Sequence, residues 1–411
     1  MDAKPSITRD EVSKVIANKL KSDEFDLVDY SLRMLGEWVG LCGDHAILET
    51  TIKQDEETQY TFFVKLYPRV PLVIEFIEGT GSFKKEIFVY RLFDLYEKEE
   101  VKILAECVPK CYLSIDEKFL VMENLIEQGY TSVNKYDLFD YDTLKVVLEA
   151  LSKLHASTLI YEERTSRRLI DVYEAELEET YYNERPDFPL KEEIEAAITG
   201  ILNSTQLFNL PDKLLSGKNF RTVLEEVCRR VHSLARPSKS FRNVVCHGDI
   251  WATNLVIKRD HNGTPVRSKL VDFQCGRYVP PAQDVMSVIH LTTAREFRKR
   301  YMYNLIGIYY TCLEKHVTLA GYDMKKIIPF EEFLASCEEQ KVFAMVQTGC
   351  YFPLILLESQ EIQDFFGDKE KNKDALYVDR SILVKAHLDD EKYSNRMRDC
   401  LLDLKEYCDY L

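Results

Sequence analysis

Between Phe241 and Val285 the chain reads FRNVVCHGDIWATNLVIKRDHNGTPVRSKLVDFQCGRYVPPAQDV, and its polar residues are of one chemical kind. His247-Gly248-Asp249 is followed by Asn254 and later by Asp272 in an Asp-Phe-Gln. Carboxylate and amide oxygens are hard ligands of the type Mg²⁺ prefers. NVVC, LVI and KLVD have the apolar, β-branched character of short strands, the last ending on Asp272. HGDIWATN reads as the loop between the first two, and DHNGTP has turn chemistry. Loop and third strand end would then lie side by side, bringing Asp249, Asn254 and Asp272 together. Such a set handles a metal-bound phosphate, with Asp249 placed to take a proton from a hydroxyl. His-Gly-Asp alone is an ordinary turn; the ordered set is what points to phosphoryl transfer.

That chemistry also requires a cation for the phosphates. Lys65 ends the strand-like TFFVKLY. In GSFKKEIFVYRL, Phe83, Glu86, Ile87 and Tyr90 share one helical face. A carboxylate within an apolar face is costly unless paired. Glu86 reaching Lys65 would resolve the cost and reproduce the strand-lysine to helix-glutamate pair of kinases. The spacing from Asp249 to Asn254 is likewise that of a kinase catalytic loop, with Asn254 and Asp272 as metal ligands. GEWVGLCGDHAI, one hairpin before Lys65, holds Gly36, Gly40 and Gly43. It matches no standard phosphate-binding motif, so these glycines cover a phosphate or simply turn the chain. FLVMENL is placed to link two lobes, with Glu123 and Leu125 beside a nucleotide base. His155 reads as a packed core histidine, His247 as orienting the loop, and Asp284 as capping a helix or bracing the loop.

These residues need elements to carry them. Thr8 and Glu11 form a capping box for a first helix. FDLVDYSLRML, HAILETTIK and QYTFFVKLY follow as strands, then a helix, then CVPKCYLSI and KFLVMENL as strands. TLKVVLEALSKLHASTLI is amphipathic, and helices dominate from about Tyr141. The expected fold is α+β and bilobal: a small antiparallel sheet lobe with one inserted helix over residues 1–124, and a large helical lobe over 125–411. The 54 Lys and Arg against 69 Asp and Glu give a formal charge of −15, which repels nucleic acid. The charged N-terminus lacks a signal-peptide core, and no apolar run is long enough for a membrane span. Eleven cysteines without a C-x-x-C pair suit free thiols in the cytoplasm.

VVCHGDIWATNLVI, KLVDFQCGRYVPPAQDV, FFVKLYP, FKKEIFVYRLF, LVMENL and LSKLHAST together resemble the ecdysteroid kinase-like family. That family belongs to the choline kinase and aminoglycoside phosphotransferase branch of the protein-kinase-like fold. The resemblance runs from about Leu35 to about Lys315, and Trp251 and Gln274 separate it from protein kinases. It implies Asp249 as catalytic base, Asn254 and Asp272 as Mg²⁺ ligands and Lys65 as phosphate contact. Glu86 would be the ion-pair partner of Lys65, and Glu123 and Leu125 the adenine-binding linker. ATP and Mg²⁺ are the implied cofactors, and a small-molecule alcohol such as an ecdysteroid the implied substrate. The acceptor would sit between the catalytic loop and the helices of about 161–240 and 291–411, with DVYEAELEETYYNERPDF supplying aromatic and acidic groups. His45 stands where similar proteins tend to carry Asn. Only twelve positions separate Asp272 from Asp284, too few to dock a protein substrate. A choline- or aminoglycoside-type acceptor, a nucleotide-binding pseudokinase and an interaction scaffold remain alternatives.

Overall fold

The computed structural model describes residues 7–35, 44–69, 71–186, 188–368 and 370–411. Gly36, Gly40 and Gly43 therefore lie outside the described residues. Helix α1 (Arg9–Leu20) starts at the expected capping box: Thr8 N–H donates to Glu11 Oε2 at 2.8 Å and Glu11 N–H to Thr8 Oγ1 at 3.4 Å. One antiparallel sheet contains β1 (Asp26–Met34), β2 (Asp44–Lys53), β3 (Glu57–Leu66), β4 (Cys111–Ile115) and β5 (Phe119–Glu123), in the order β1-β2-β3-β5-β4. Alternation along β3 sets the job of each face. Phe62, Val64 and Leu66 join Val12, Val15 and Ile16 of α1 in one core. Phe63 and Lys65 consequently point to the opposite face.

Two helices, not one, are inserted between β3 and β4: α2 (Pro71–Thr80) and α3 (Ser82–Lys98). The break is at Gly81, whose φ of 64° is left-handed and free of a Cβ penalty. α3 buries Phe83, Glu86, Ile87 and Tyr90 together, as their spacing requires. Strand character in CVPKCYLSI begins only at Cys111, because a 3₁₀ turn at Ile103–Glu106 and then Pro109 precede it.

The larger part is built on α4 (Tyr141–Thr165). Asp140 caps it by accepting from Thr143 N–H at 2.8 Å, and Leu144, Leu148, Leu151 and Leu154 lie in the largest core. Short strands β6 (Tyr130–Ser132), β7 (Val244–Cys246), β8 (Leu255–Arg259), β9 (Pro265–Leu270) and β10 (Arg277–Val279) pair as β6-β8-β9 and β10-β7. The helix Ala282–Thr292 is buried at every position. The helices Lys191–Leu207, Phe330–Ile355 and Glu391–Asp409 contribute to a second core. Among the described residues no single helix is long and apolar enough to cross a membrane.

A buried carboxylate ties these layers together. Glu162 of α4 accepts from Tyr278 Oη at 2.7 Å, Leu169 N–H at 2.8 Å, Arg242 at 2.8 Å and Arg168 at 3.1 Å. Removing it strands the Tyr278 hydroxyl and the Leu169 N–H in the interior and leaves Arg242 and Arg168 with Glu163, at 3.1 Å and 3.4 Å. Glu162→Ala should therefore cost about 2–4 kcal/mol in urea unfolding. A loss under about 1 kcal/mol would show that Glu162 behaves as a surface charge.

Candidate active site

The loop after β7 is held by backbone-to-carboxylate contacts. Asp284, in the first turn of the helix Ala282–Thr292, accepts from His247 N–H at 2.6 Å and Gly248 N–H at 3.0 Å. His155 of α4 meets the same carboxylate through Nε2 at 3.1 Å and faces Tyr309 Oη through Nδ1 at 2.6 Å. Burial would raise the Asp284 carboxyl, but these contacts outweigh it and hold it below its ordinary value. Gly248 has φ 78°, and a Cβ there would stand 2.1 Å from the Cys275 carbonyl oxygen. Only glycine fits. His247 Nε2 donates to the Val271 carbonyl at 2.8 Å, which leaves Nδ1 to accept from Asp249 N–H at 3.3 Å. So His155 and Asp284 both brace the loop, and His247 fixes its exit direction.

Asn254 closes the same loop. Its Nδ2 donates to the Asp249 carboxylate at 2.9 Å and to the Asp249 carbonyl at 2.8 Å, leaving the amide oxygen for another partner. The third strand stops earlier than its sequence suggested. β9 ends at Leu270, whose N–H goes to the Cys107 carbonyl, while Val271 N–H goes to the Asn254 carbonyl. Asp272 lies two residues beyond the strand, at φ 68°, a left-handed conformation unusual for a side chain with Cβ. That turn directs it to the loop and to Lys65.

Lys65 Nζ lies 2.6 Å from Glu86 Oε2 and 2.8 Å from Asp272 Oδ1. Glu86 uses its other oxygen to accept from Phe273 N–H at 3.2 Å. Burial opposes the charge on Lys65, but Asp272 and then Glu86 outweigh it and hold the ammonium well above its ordinary range. Burial raises both carboxyls. Lys65 reverses this for Asp272, which is lowered, whereas the deeper Glu86 stays raised. His45 is the cross-strand partner of Lys65, and burial, then Lys65, lower it to about 4. Glu123 is turned elsewhere: its carboxylate meets Lys269 Nζ at 3.0 Å, and Leu125 is buried behind it. Any contact from this segment to a base would come from its backbone.

The ecdysteroid kinase-like family model matches residues 45–322. This chain belongs to the ecdysteroid kinase-like family. It is a small-molecule phosphotransferase with an alcohol acceptor, and ATP use follows from membership in a kinase family. No curated protein matches it. Among solved structures it is similar to an ethanolamine kinase from Plasmodium vivax, with 12% identity, 92% of this chain and 83% of the other covered, and a TM-score of 0.39. A choline/ethanolamine kinase family protein from Mesorhizobium loti matches with 13% identity, 90% and 92% coverage and a TM-score of 0.36.

In this ecdysteroid kinase-like chain Asp249 and Asp272 open into one cavity of about 180 Å³. Its wall is largely apolar and comes from distant segments: Phe76 of α2, Tyr181, Trp251, and Tyr351 with Leu354 of the helix Phe330–Ile355. Among its described residues the stretch DVYEAELEETYYNERPDF contributes only Tyr181. Two of its acids are used internally, Glu179 on Arg277 at 3.0 Å and Glu178 on Arg185 at 3.0 Å. Three residues here had no reading in the sequence. Gln347 Nε2 donates to the Gly248 carbonyl at 3.1 Å, and Tyr351 and Arg380 line the cavity that holds Asp249. The one available signal was Gln347 as a lone amide inside the apolar run FAMVQTGCYF.

Burial, then the neighbouring Asp272, raise the Asp249 carboxyl to about 7. A carboxyl that holds its proton more tightly folded than unfolded makes folding less favourable as pH climbs from about 4 to about 7. Asp249→Asn removes that penalty. Its melting temperature should exceed the wild type's by about 2–5 °C at pH 8, and the gain should vanish towards pH 4. A gain independent of pH would contradict the assignment.

Proposed function

We propose that this chain transfers the γ-phosphate of ATP to the hydroxyl of a small, mainly apolar alcohol, such as an ecdysteroid, another sterol-like molecule or a xenobiotic conjugate. The observation that supports this best is the position of Asp249: bonded to Asn254, poised near neutrality, and opening into an apolar cavity it shares with Asp272. Residues 1–124 serve as the nucleotide-binding lobe and 125–411 as the catalytic and acceptor lobe. Protein and nucleic acid are not acceptors in this reading. The described cysteines are all free thiols, which supports a reducing, cytoplasmic setting.

The donor set suits Mg²⁺. The free amide oxygen of Asn254 and the Asp272 carboxylate are hard oxygen ligands on either side of the loop. Mg²⁺ held there would neutralise charge on the phosphate oxygens. Lys65, kept charged by Glu86 and Asp272, binds phosphate oxygens, with Gly40 and Gly43 proposed to cover them and the backbone at Glu123 and Leu125 to hold the base. Asp249 orients the acceptor hydroxyl and takes its proton at the carboxylate. Catalysis of this type rests on positioning and charge rather than on covalent intermediates.

With labelled ATP and a panel of apolar alcohols, Asp249→Asn should lower turnover by about 10²–10⁴-fold. Full turnover by that variant would sink the assignment of the base. Mg-ATP should raise the melting temperature of the wild type but not of Asp272→Ala; an equal rise in both would move the metal elsewhere. For the acceptor, kcat/KM should rise with pH and level off above about 7, because the base acts ionised. A flat profile between pH 6 and 8 would exclude Asp249 as the titrating group.

A further inference from the structure

Arg380 is 6% exposed and lines the cavity that holds Asp249. Its guanidinium donates through Nη1 to the Cys350 carbonyl at 3.3 Å and through Nη2 to the Glu193 carbonyl at 3.0 Å. Nε has no hydrogen-bond partner. Among the described residues no carboxylate lies within ion-pairing distance of it. The Glu193 carboxylate lines the same cavity but stands farther off. Two neutral carbonyls do not offset the cost of burying a full charge.

Comparison with other buried arginines shows what is missing. Arg277 pairs with Glu179 at 3.0 Å, Arg298 with Asp403 at 2.7 Å and Arg242 with Glu162 at 2.8 Å. Arg396 also lacks a close carboxylate, but it stacks on Phe352 with its guanidinium 4.7 Å from the ring centroid and does not line the cavity. Arg380 alone among these five lines the catalytic cavity with no described carboxylate within 4.0 Å. Burial lowers its pKa, consistent with an unmet need for negative charge. Backbone packing fixes where it sits. A Cβ on Gly200 would meet Arg380 Cβ at 2.9 Å, so the chain before the helix Ser381–Ala386 lies directly on the helix Lys191–Leu207.

We infer that the acceptor alcohol carries an oxyanion (carboxylate, sulfate or phosphate) on an apolar body, seated on Arg380 while the hydroxyl meets Asp249. This rests on the phosphotransferase reading and narrows its acceptors to acid-bearing alcohols and conjugates, setting aside neutral ecdysteroids and sterols. Planar oxyanions match the donor fork of a guanidinium, and the low polarity of the cavity strengthens the pair. Phe76, Tyr181, Trp251 and Leu354 would enclose the apolar body.

Two matched pairs of alcohols test this: p-(hydroxymethyl)benzoate with its methyl ester, and deoxycholate with its methyl ester. Each pair shares its hydroxyls and differs in one negative charge. Binding is measured calorimetrically on the full chain with a non-hydrolysable Mg-ATP analogue. The acid of at least one pair should bind about tenfold or more tighter than its ester. In Arg380→Gln that preference should disappear, and Arg380→Lys should keep part of it. Esters binding as tightly as acids, no binding by any of the four, or a preference surviving in Arg380→Gln would each overturn the inference. Thermal stabilisation of the wild type by Mg-ATP is read in parallel. If it persists while the acids show no preference, the phosphotransferase reading stands and the anion site falls. If it is absent, the failure lies in the nucleotide site.

Discussion

One buried ammonium holds the halves of this molecule in register. Lys65 comes from the middle of the sheet, Glu86 from α3, and Asp272 from 207 positions further along, just beyond β9. An ammonium taken from water is tolerated only when its partners are close and their own remaining valences are filled. Here they are. Glu86 spends its second oxygen on Phe273 N–H, so one carboxylate grips both the lysine and the segment that carries Asp272. The position of α3 against β3 and the left-handed turn at Asp272 are two consequences of the same electrostatic requirement.

A second buried carboxylate gives the catalytic loop its stiffness. Asp284 satisfies two successive backbone N–H groups and His155, while Gln347 takes the Gly248 carbonyl. With loop polar groups committed in this way, the loop has little freedom to relax around Asp249. The carboxyl is left in a poorly solvated place beside another acid, and its proton affinity rises. Rigidity of the brace and readiness of the base are thus linked. Preorganised sites commonly trade stability for chemistry in this manner.

Much of this was legible from local pattern because the constraints are local. The strand character of HAILETTIK and QYTFFVKLY anticipated β2 and β3, and alternation along β3 sets Lys65 opposite Phe62 and Val64, which pack on α1. A glutamate inside an apolar helical face called for a cation, and Lys65 answers it. The order His-Gly-Asp, Asn and Asp-Phe-Gln placed a loop beside a strand end, although the strand stops at Leu270 and Asp272 turns away from its line. The one inserted helix was expected from Gly81 onward, and α2 before it had no reading, because the short apolar run PLVIEF is too uniform to show a helical period. The acids of the 171–188 stretch looked available in one dimension, yet Glu178 and Glu179 meet arginines.

The sequence by itself determined the chemistry of the centre: which side chains carry charge, which must be paired when buried, and in what order they recur along the chain. Those properties depend on residue type and on neighbours within a few positions. Tertiary structure alone decided the surroundings. Phe76, Tyr181, Tyr351 and Arg380 belong to segments hundreds of positions apart at the extremes, with no shared periodicity, and they meet only because the second core packs its helices around the loop. Which groups shield Asp249, and which charge faces it across the cavity, are consequences of that packing, because contact between remote segments is encoded in no local spacing.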